Sequence, residues 1–187
     1  AGARKNNTYS MGIGISAGGD STMQIDGAHI TDNKAGYKTE VEDGFEIQGA
    51  GDAYGGGIYV VSKGTSNYIK NSVIARNSAW GADAARSRGG GIYLNGVLKI
   101  EDTDIIENSA ITGGGICLIG MNNLYGDLDL TRTVIDNNIA EDTGTGSGLA
   151  SYSYTNKVTL NAGTKIRGNS GSANGGGISI GEGTTLM

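Results

Sequence analysis

The sequence predicts an all-β protein, a single-stranded parallel β-helix with three strands per coil and about five to six coils. Three observations predict this fold class: two short motifs recur along the chain, the interval between copies is close to 30 residues, and alignment at that interval places aliphatic residues in columns. Such a repeat is typical of a solenoid in which each coil stacks on the next at the strand spacing of about 4.8 Å.

The first motif is Ile-x-x-Asn. It occurs at 30–33, 74–77, 105–108, 135–138 and 166–169, and successive isoleucines are 44, 31, 30 and 31 residues apart. An asparagine at a tight turn can hydrogen-bond backbone groups and tolerate a left-handed φ, and stacked asparagines can bond to one another. The sequence therefore predicts a structural ladder of Asn33, Asn77, Asn108, Asn138 and Asn169.

The second motif is a glycine-rich entry into a strand. It reads GGGIYV (55–60), GGGIYL (89–94), GGGICL (113–118), GSGLAS (146–151) and GGGISI (175–180), with a degenerate copy MGIGIS at 11–16. Glycine admits positive φ and close backbone approach, so these glycines are expected to form a corner. A third strand lies between the motifs, as in LKIED (98–102) and LDLTR (128–132).

Alignment of the repeats also separates an inner from an outer side. The inner columns are Ile58, Ile92, Ile116, Leu149 and Ile178, then Ile25, Ile69, Ile100, Leu130 and Leu160, then Ile30, Ile74, Ile105, Ile135 and Ile166. Outer columns alternate in charge: Asp26, Lys70 and Glu101 form one, and Asp32, Arg76 and Glu107 another. Stacked residues with like charges would repel, so this alternation favours the same register.

Composition limits the function. The chain has 187 residues, 35 glycines, no proline and a net charge of −5 spread along its length, which argues against binding to nucleic acid. It contains no apolar run of about 20 residues, so we expect no direct membrane insertion of this segment. The single cysteine, Cys117, excludes an internal disulfide and is expected to be a passive side chain.

The repeated GGGI and IxxN elements resemble the paired GGA[ILV] and FxxN repeats of the chlamydial polymorphic membrane proteins and related autotransporter passengers. The resemblance covers about residues 11–180 and implies a right-handed parallel β-helix exported to a bacterial surface. Isoleucine replaces phenylalanine before the asparagine in every copy. We expect residues 1–187 to be one continuous β-helix segment of a longer protein.

Function in a solenoid is expected in its variable turns. Two long neighbouring loops, 36–54 and 80–88, differ from the other connections. Three hypotheses stay open: the acidic first loop packs on the basic second one, the loops recognise a sugar or a peptide through aromatic faces, or carboxylates act in catalysis. The candidate binding residues are Tyr37, Glu42, Asp43, Phe45, Trp80, Arg86 and Arg88.

The combined prediction is a structural or adhesive extracellular scaffold of a bacterial surface protein or filament that presents loops to a host-cell or glycan ligand. End-to-end self-association of the solenoid is a further expectation, because coil ends expose unpaired strands. The alternative is a carbohydrate-active β-helix, a polysaccharide lyase or glycoside hydrolase. We expect no catalytic residue, metal or cofactor, although the acidic loop has oxygen ligands that would suit Ca²⁺.

Overall fold

The computed structural model describes residues 9–36, 40–42, 45–47, 51–81, 86–121, 124–153, 155–171 and 174–187. These residues form a β-solenoid of stacked parallel strands and contain no helix. No helix in the described residues could therefore cross a membrane. The predicted all-β class and parallel stacking are confirmed, whereas the right-handed sense and the number of coils stay predictions.

Three stacks of strands enclose the main core. Sheet 1 follows the glycine corner and contains Ile15–Gly19, Ile58–Ser62, the first half of Ile92–Glu101, Ile116–Ile119, Leu149–Tyr152 and Ile178–Ile180. Sheet 2 contains Gln24–Asp26, Tyr68–Lys70, the second half of Ile92–Glu101, Asp127–Thr131, Lys157–Leu160 and Thr185–Leu186. Sheet 3 contains His29–Thr31, Val73–Ala75, Asp104–Ile106, Val134–Asp136 and Lys165–Arg167.

A fourth stack, absent from the three-strand prediction, leaves the asparagine corner and returns to the glycine corner. Its outgoing strands are Lys34–Gly36, Ser78–Trp80, Ser109–Thr112, Ile139–Thr145 and Ser170–Gly171, and its returning strands are Tyr9–Met11, Asp52–Tyr54 and Ser87–Arg88. Strands Glu40–Glu42 and Phe45–Ile47 pair antiparallel within the first long loop. We call the stack of outgoing and returning strands the arm.

The inner columns of the main core have the predicted register. Ile30, Ile74 and Ile105 pair in sequence across sheet 3, and the corresponding columns of sheets 1 and 2 pair in the same way. Ile74 and Ile105 are completely buried. Aliphatic side chains from three directions fill this interior, and β-branched residues suit strands that are buried within such a stack.

The arm has a much thinner interior. Ala35, Ala53, Ala79 and Ala110 form a separate buried cluster between its outgoing and returning strands. The Ser87 hydroxyl also bridges the two layers, donating to the Ala79 carbonyl at 2.6 Å and accepting from the Ile111 amide at 2.9 Å. Small side chains let the two layers pack closely, which explains the small residue two positions after each ladder asparagine.

The glycine motif and the Ile-x-x-Asn motif come together where the arm leaves the main core. The third glycine of a corner packs against a ladder asparagine, since a Cβ at Gly91 would lie 2.7 Å from the Gly115 carbonyl and 3.1 Å from Cγ of Asn108. The first glycine has positive φ in every copy, as at Gly89 (66°). The two motifs recur together because in successive coils a corner glycine packs directly against a ladder asparagine, and a larger residue would not fit between them.

The left-handed φ at the asparagine corner belongs to a different residue from the one expected. The residue immediately before the ladder asparagine has positive φ, as in Asp32 (61°), Arg76 (54°), Glu107 (56°) and Asn137 (52°). This residue makes the bend with its side chain in solvent, so the following asparagine can direct its own side chain along the stack.

Candidate functional site

The ladder asparagines form a continuous chain of hydrogen bonds. Asn33 Nδ2 donates to Asn77 Oδ1 at 2.8 Å, and equivalent bonds of 3.0, 3.0 and 2.9 Å link Asn77, Asn108, Asn138 and Asn169 in order. Asn77, Asn108 and Asn138 have no measurable exposure. Their polar groups are used within the scaffold, so the ladder is structural and is not a ligand site.

Several outward charges on sheets 2 and 3 and at their turns are also paired. Arg76 Nη2 lies 2.8 Å from Asp32 Oδ2, and Arg167 Nε lies 2.9 Å from Asp136 Oδ2. Arg132 bonds Asp102 at 2.6 Å and also bonds Glu101. The hydrogen bond from Arg132 lowers the pKa of Asp102, and the one from Arg76 lowers that of Asp32. Lowered pKa values keep these carboxylates charged, which does not suit a general acid.

A cleft of about 430 Å³ lies on the outer face of sheet 2. Tyr68, Lys70, Lys99 and Glu101 are among its lining residues. The Lys70 ammonium is 3.5 Å from Glu101 and 5.3 Å from the centre of the Tyr68 ring. Glu101, the cleft's carboxylate, is therefore held between two cations, because Arg132 also bonds it.

A row of outward side chains lies along the glycine corner, on the outside of the solenoid. Here the returning strands of the arm are followed by the strands of sheet 1, and outward side chains from both contact one another. The rings of Tyr54 and Tyr93 lie across the corner with centroids 5.0 Å apart, and those of Tyr93 and Tyr59 stack at 5.2 Å. We call this surface the tyrosine groove; it comprises Tyr54, Tyr59, Arg88, Tyr93, Cys117, Ile119 and Tyr152.

The residues at the base of the tyrosine groove are almost fully buried. Tyr93 and Ile119 are each 3% exposed and Cys117 is fully buried, although all three point away from the main core. Tyr54, Tyr59 and Tyr152 are half-buried and pack against this base from above. The groove thus has an apolar base and partly exposed aromatic edges, a combination that favours binding of ligands with flat apolar faces.

Burial also controls the chemistry of the groove. It raises the pKa of the Cys117 thiol to about 12 and raises the pKa of Tyr93 well above its ordinary value, while the nearby Arg88 charge acts in the opposite direction on both. Cys117 is therefore a neutral thiol at physiological pH, which agrees with its expected passive role.

The groove continues into a cleft of about 400 Å³ beside its Tyr152 end. Arg88, Ile119 and Tyr152 contribute to this cleft together with Gly120, Met121, Ser153, Gly181 and Glu182. Burial raises the pKa of Tyr152, and the nearby Thr112 side chain on the opposite wall acts in the other direction. Arg88 thus lies at the junction of the aromatic and open parts of the site.

Only three of the seven predicted binding residues, Trp80, Arg86 and Arg88, have side chains that the structure describes. Tyr37 and Asp43 lie outside the described residues, and Glu42 and Phe45 are strand residues whose side chains the structure does not describe. Arg86 pairs with Asp52 at 3.7 Å on the returning side of the arm. Trp80 ends an outgoing strand, so it lies on the face of the arm opposite Arg88.

The two long loops are nevertheless neighbours at their ends. They leave from Gly36 and Trp80, which pair in register, and they return at Tyr54 and Arg88, which also pair. Four groove tyrosines were not among the sequence candidates, although Tyr59 and Tyr93 occupy the same position in GGGIYV and GGGIYL. Two tyrosines at the same outward position of neighbouring repeats are the sequence feature that could have indicated an aromatic surface.

The described residues contain no group of three or more His, Cys, Asp or Glu side chains that could hold a metal ion. Most acidic side chains of the loop considered for Ca²⁺ lie within residues 37–50, whose side chains the structure does not describe. Comparison of the chain with protein-family models, curated proteins and solved structures gave no significant match.

Proposed function

We propose that this chain is an adhesive scaffold of a bacterial surface protein, and that the tyrosine groove is its ligand-binding surface. The observation that carries the proposal is the partly exposed aromatic edge formed by Tyr54, Tyr59 and Tyr152 over a buried apolar base. Tyrosine offers a large rigid contact area with few rotatable bonds, so it binds ligands at a low cost in conformational entropy.

The direction of the groove favours a linear ligand. It follows the stacking axis of the solenoid, because its residues come from successive coils at the same corner. A glycan or an extended chain of similar width can contact several coils at once. An exported rod that holds such a groove away from the cell would act as an adhesin, in line with the resemblance to polymorphic membrane proteins and autotransporter passengers.

The charge pattern supports binding over catalysis. Asp32, Asp102 and Asp136 are each bonded to an arginine, and Glu101 is bonded to both a lysine and an arginine. A glycosidase requires a pair of carboxyl groups with different protonation states on either side of the scissile bond. The paired carboxylates named here are poorly suited to the acid role in that chemistry.

Binding of the purified chain to a glycan array and to cultured host cells tests the proposal. We expect Tyr59→Ala to weaken binding by at least about tenfold, because it removes an aromatic face from the groove. Tyr68→Ala on the outer face of sheet 2 is the matched control and is expected to bind normally. Equal binding by both variants would show that the ligand binds outside the tyrosine groove. Turnover of a polysaccharide would favour the carbohydrate-active alternative.

A further inference from the structure

Unsatisfied polar atoms are concentrated at the tyrosine groove. Three buried side-chain atoms in the described residues have no hydrogen-bond partner: Arg88 Nε, Thr145 Oγ1 and Ser147 Oγ. Arg88 and Thr145 belong to one column of the groove wall, with Thr112 between them. Buried polar groups are nearly always bonded, so two unsatisfied atoms in one wall indicate partners that the chain itself does not supply.

Ser147 has a separate structural explanation. It replaces the second glycine of the corner motif, and its hydroxyl occupies the space beside Gly171, where a Cβ would lie only 2.3 Å from Ser147 Oγ. The other coils described here have alanine at the position of Gly171. Ser147 is thus accommodated by a smaller neighbour and is not part of the groove wall.

The charge of Arg88 is also uncompensated. The neighbouring Arg86 pairs with Asp52, whereas Arg88 is in none of the ion pairs formed among the described residues. A guanidinium group binds a carboxylate through two parallel N–H···O bonds, and this pairing is stronger than a neutral hydrogen bond. Glu182, which is also among the described residues, lines the same cleft but forms no ion pair with Arg88, so the guanidinium group can pair with the carboxylate of a ligand.

We infer that the tyrosine groove binds an acidic saccharide, whose carboxylate pairs with Arg88 while its rings pack on the tyrosines. This inference rests on the proposed binding role of the groove. The hydroxyl of Thr145 lies two strands from Arg88, about 10 Å along the axis, and can bond a second sugar unit.

A peptide is the less favourable occupant. Strands on both walls of the groove are paired to the coils before and after them, so the groove has no free strand edge for a peptide to extend. A saccharide needs only aromatic faces and side-chain hydrogen bonds, and the groove supplies both. Polar side chains at its open end, such as Ser153, add further partners.

Binding requires a local side-chain movement. Arg88 Nε and Thr145 Oγ1 are shielded from solvent, and the half-buried Tyr152 packs over the base of the groove. We expect the ligand to displace the Tyr152 ring from this position. Tyr152→Phe keeps the ring and removes only its hydroxyl, so it is expected to bind the saccharide about as tightly as the wild type.

Calorimetry with a tetramer of galacturonic acid and with its fully methyl-esterified form tests the inference. We expect the wild type to bind the acid about tenfold more tightly than the ester, because the ester keeps the rings and loses the charge. Arg88→Gln should abolish this preference. Arg167→Gln, which removes an arginine paired with Asp136 on sheet 3, should retain it.

Three results would overturn the inference. They are equal binding of acid and ester by the wild type, an unchanged preference in Arg88→Gln, and displacement of a bound ligand by a peptide but not by the acid. The Tyr59→Ala experiment distinguishes these from failure of the proposed function, since a groove that binds a neutral glycan would still lose affinity in that variant. Melting curves for every variant confirm that the fold is intact.

Discussion

The side-chain amide of a ladder asparagine makes all of its possible hydrogen bonds within the stack. Asn108 Oδ1 accepts from the backbone and side-chain nitrogens of Asn77 at 2.9 and 3.0 Å, and Asn108 Nδ2 donates to the Ile74 carbonyl at 2.9 Å and to Asn138 Oδ1 at 3.0 Å. Two donors and two lone pairs are therefore all used. No other side chain of this size provides the same four bonds.

Asn108→Ala is expected to lower the free energy of unfolding by at least about 2 kcal/mol, because it leaves several buried polar groups unpaired. Asn33→Ala at the end of the ladder should cost only about 1 kcal/mol, since the Asn33 side chain donates one ladder bond to the following coil and accepts none from a preceding coil among the described residues. Chemical denaturation measures both values. A larger loss for Asn33→Ala would contradict the ladder interpretation.

Two glycines separate the effect of backbone conformation from that of close packing. Gly27 and Gly89 both have φ of 66°, but a Cβ at Gly89 would lie 2.3 Å from the Ile92 carbonyl, whereas a Cβ at Gly27 would have no neighbour within 4 Å. Gly27→Ala should cost about 1–2 kcal/mol from left-handed φ alone. Gly89→Ala should cost clearly more in the same denaturation experiment, and equal losses would exclude a packing role for the corner glycine.

At the scale of the elements, alternation and spacing were enough to predict the columns. Ile105 pairs with Ile74 and Ile135 as expected, and Lys70 lies between Asp26 and Glu101. The arm was missed because most of its strands are only two or three residues long and their alanines give little hydrophobic signal. Alternation distinguishes inside from outside but not the direction of a bend, so the Tyr59–Tyr93 pair could be recognised as outward, whereas its contact with Tyr54 across the corner could not be predicted.

The arginine–carboxylate pairs on the outer face predict an acid-sensitive contribution to stability. The folded pKa of Asp102 lies below its unfolded value, so its contribution is present above about pH 4 and is lost as the pH falls through the folded pKa. Arg132→Gln should lower the melting temperature slightly at pH 7 and low salt, with a smaller difference at pH 2. An equal difference at both pH values would indicate that Arg132 acts through packing.

The base of the tyrosine groove predicts a protected thiol. Because Cys117 is fully buried and burial raises its pKa to about 12, iodoacetamide should modify it only when the groove opens. We expect the rate of modification to rise with urea in parallel with global unfolding. Rapid labelling in the absence of denaturant would contradict the packed base.

For the whole molecule, the core is a single dry interior shared by all coils. Ile105→Asp would place an unpaired charge among Ile74, Ile135 and their neighbours, at a cost of several kcal/mol. Circular dichroism is expected to show loss of the strand signal in this variant. Ile106→Asp on the outer face is the matched control and should remain folded, because the side chain at this position is partly exposed.

Each coil bonds only to the coils before and after it, and these bonds run parallel to the stacking axis. Tension applied between the chain termini would therefore detach coils one after another from an end, so that only the hydrogen bonds of the terminal coil carry the force at any time. A coil of 31 residues releases about 100 Å of contour length, and the 44-residue repeat that contains the first long loop releases about 150 Å. Force spectroscopy should record a series of low-force steps of these lengths, whereas one high-force rupture would mean that the rod resists load as a single mechanical unit.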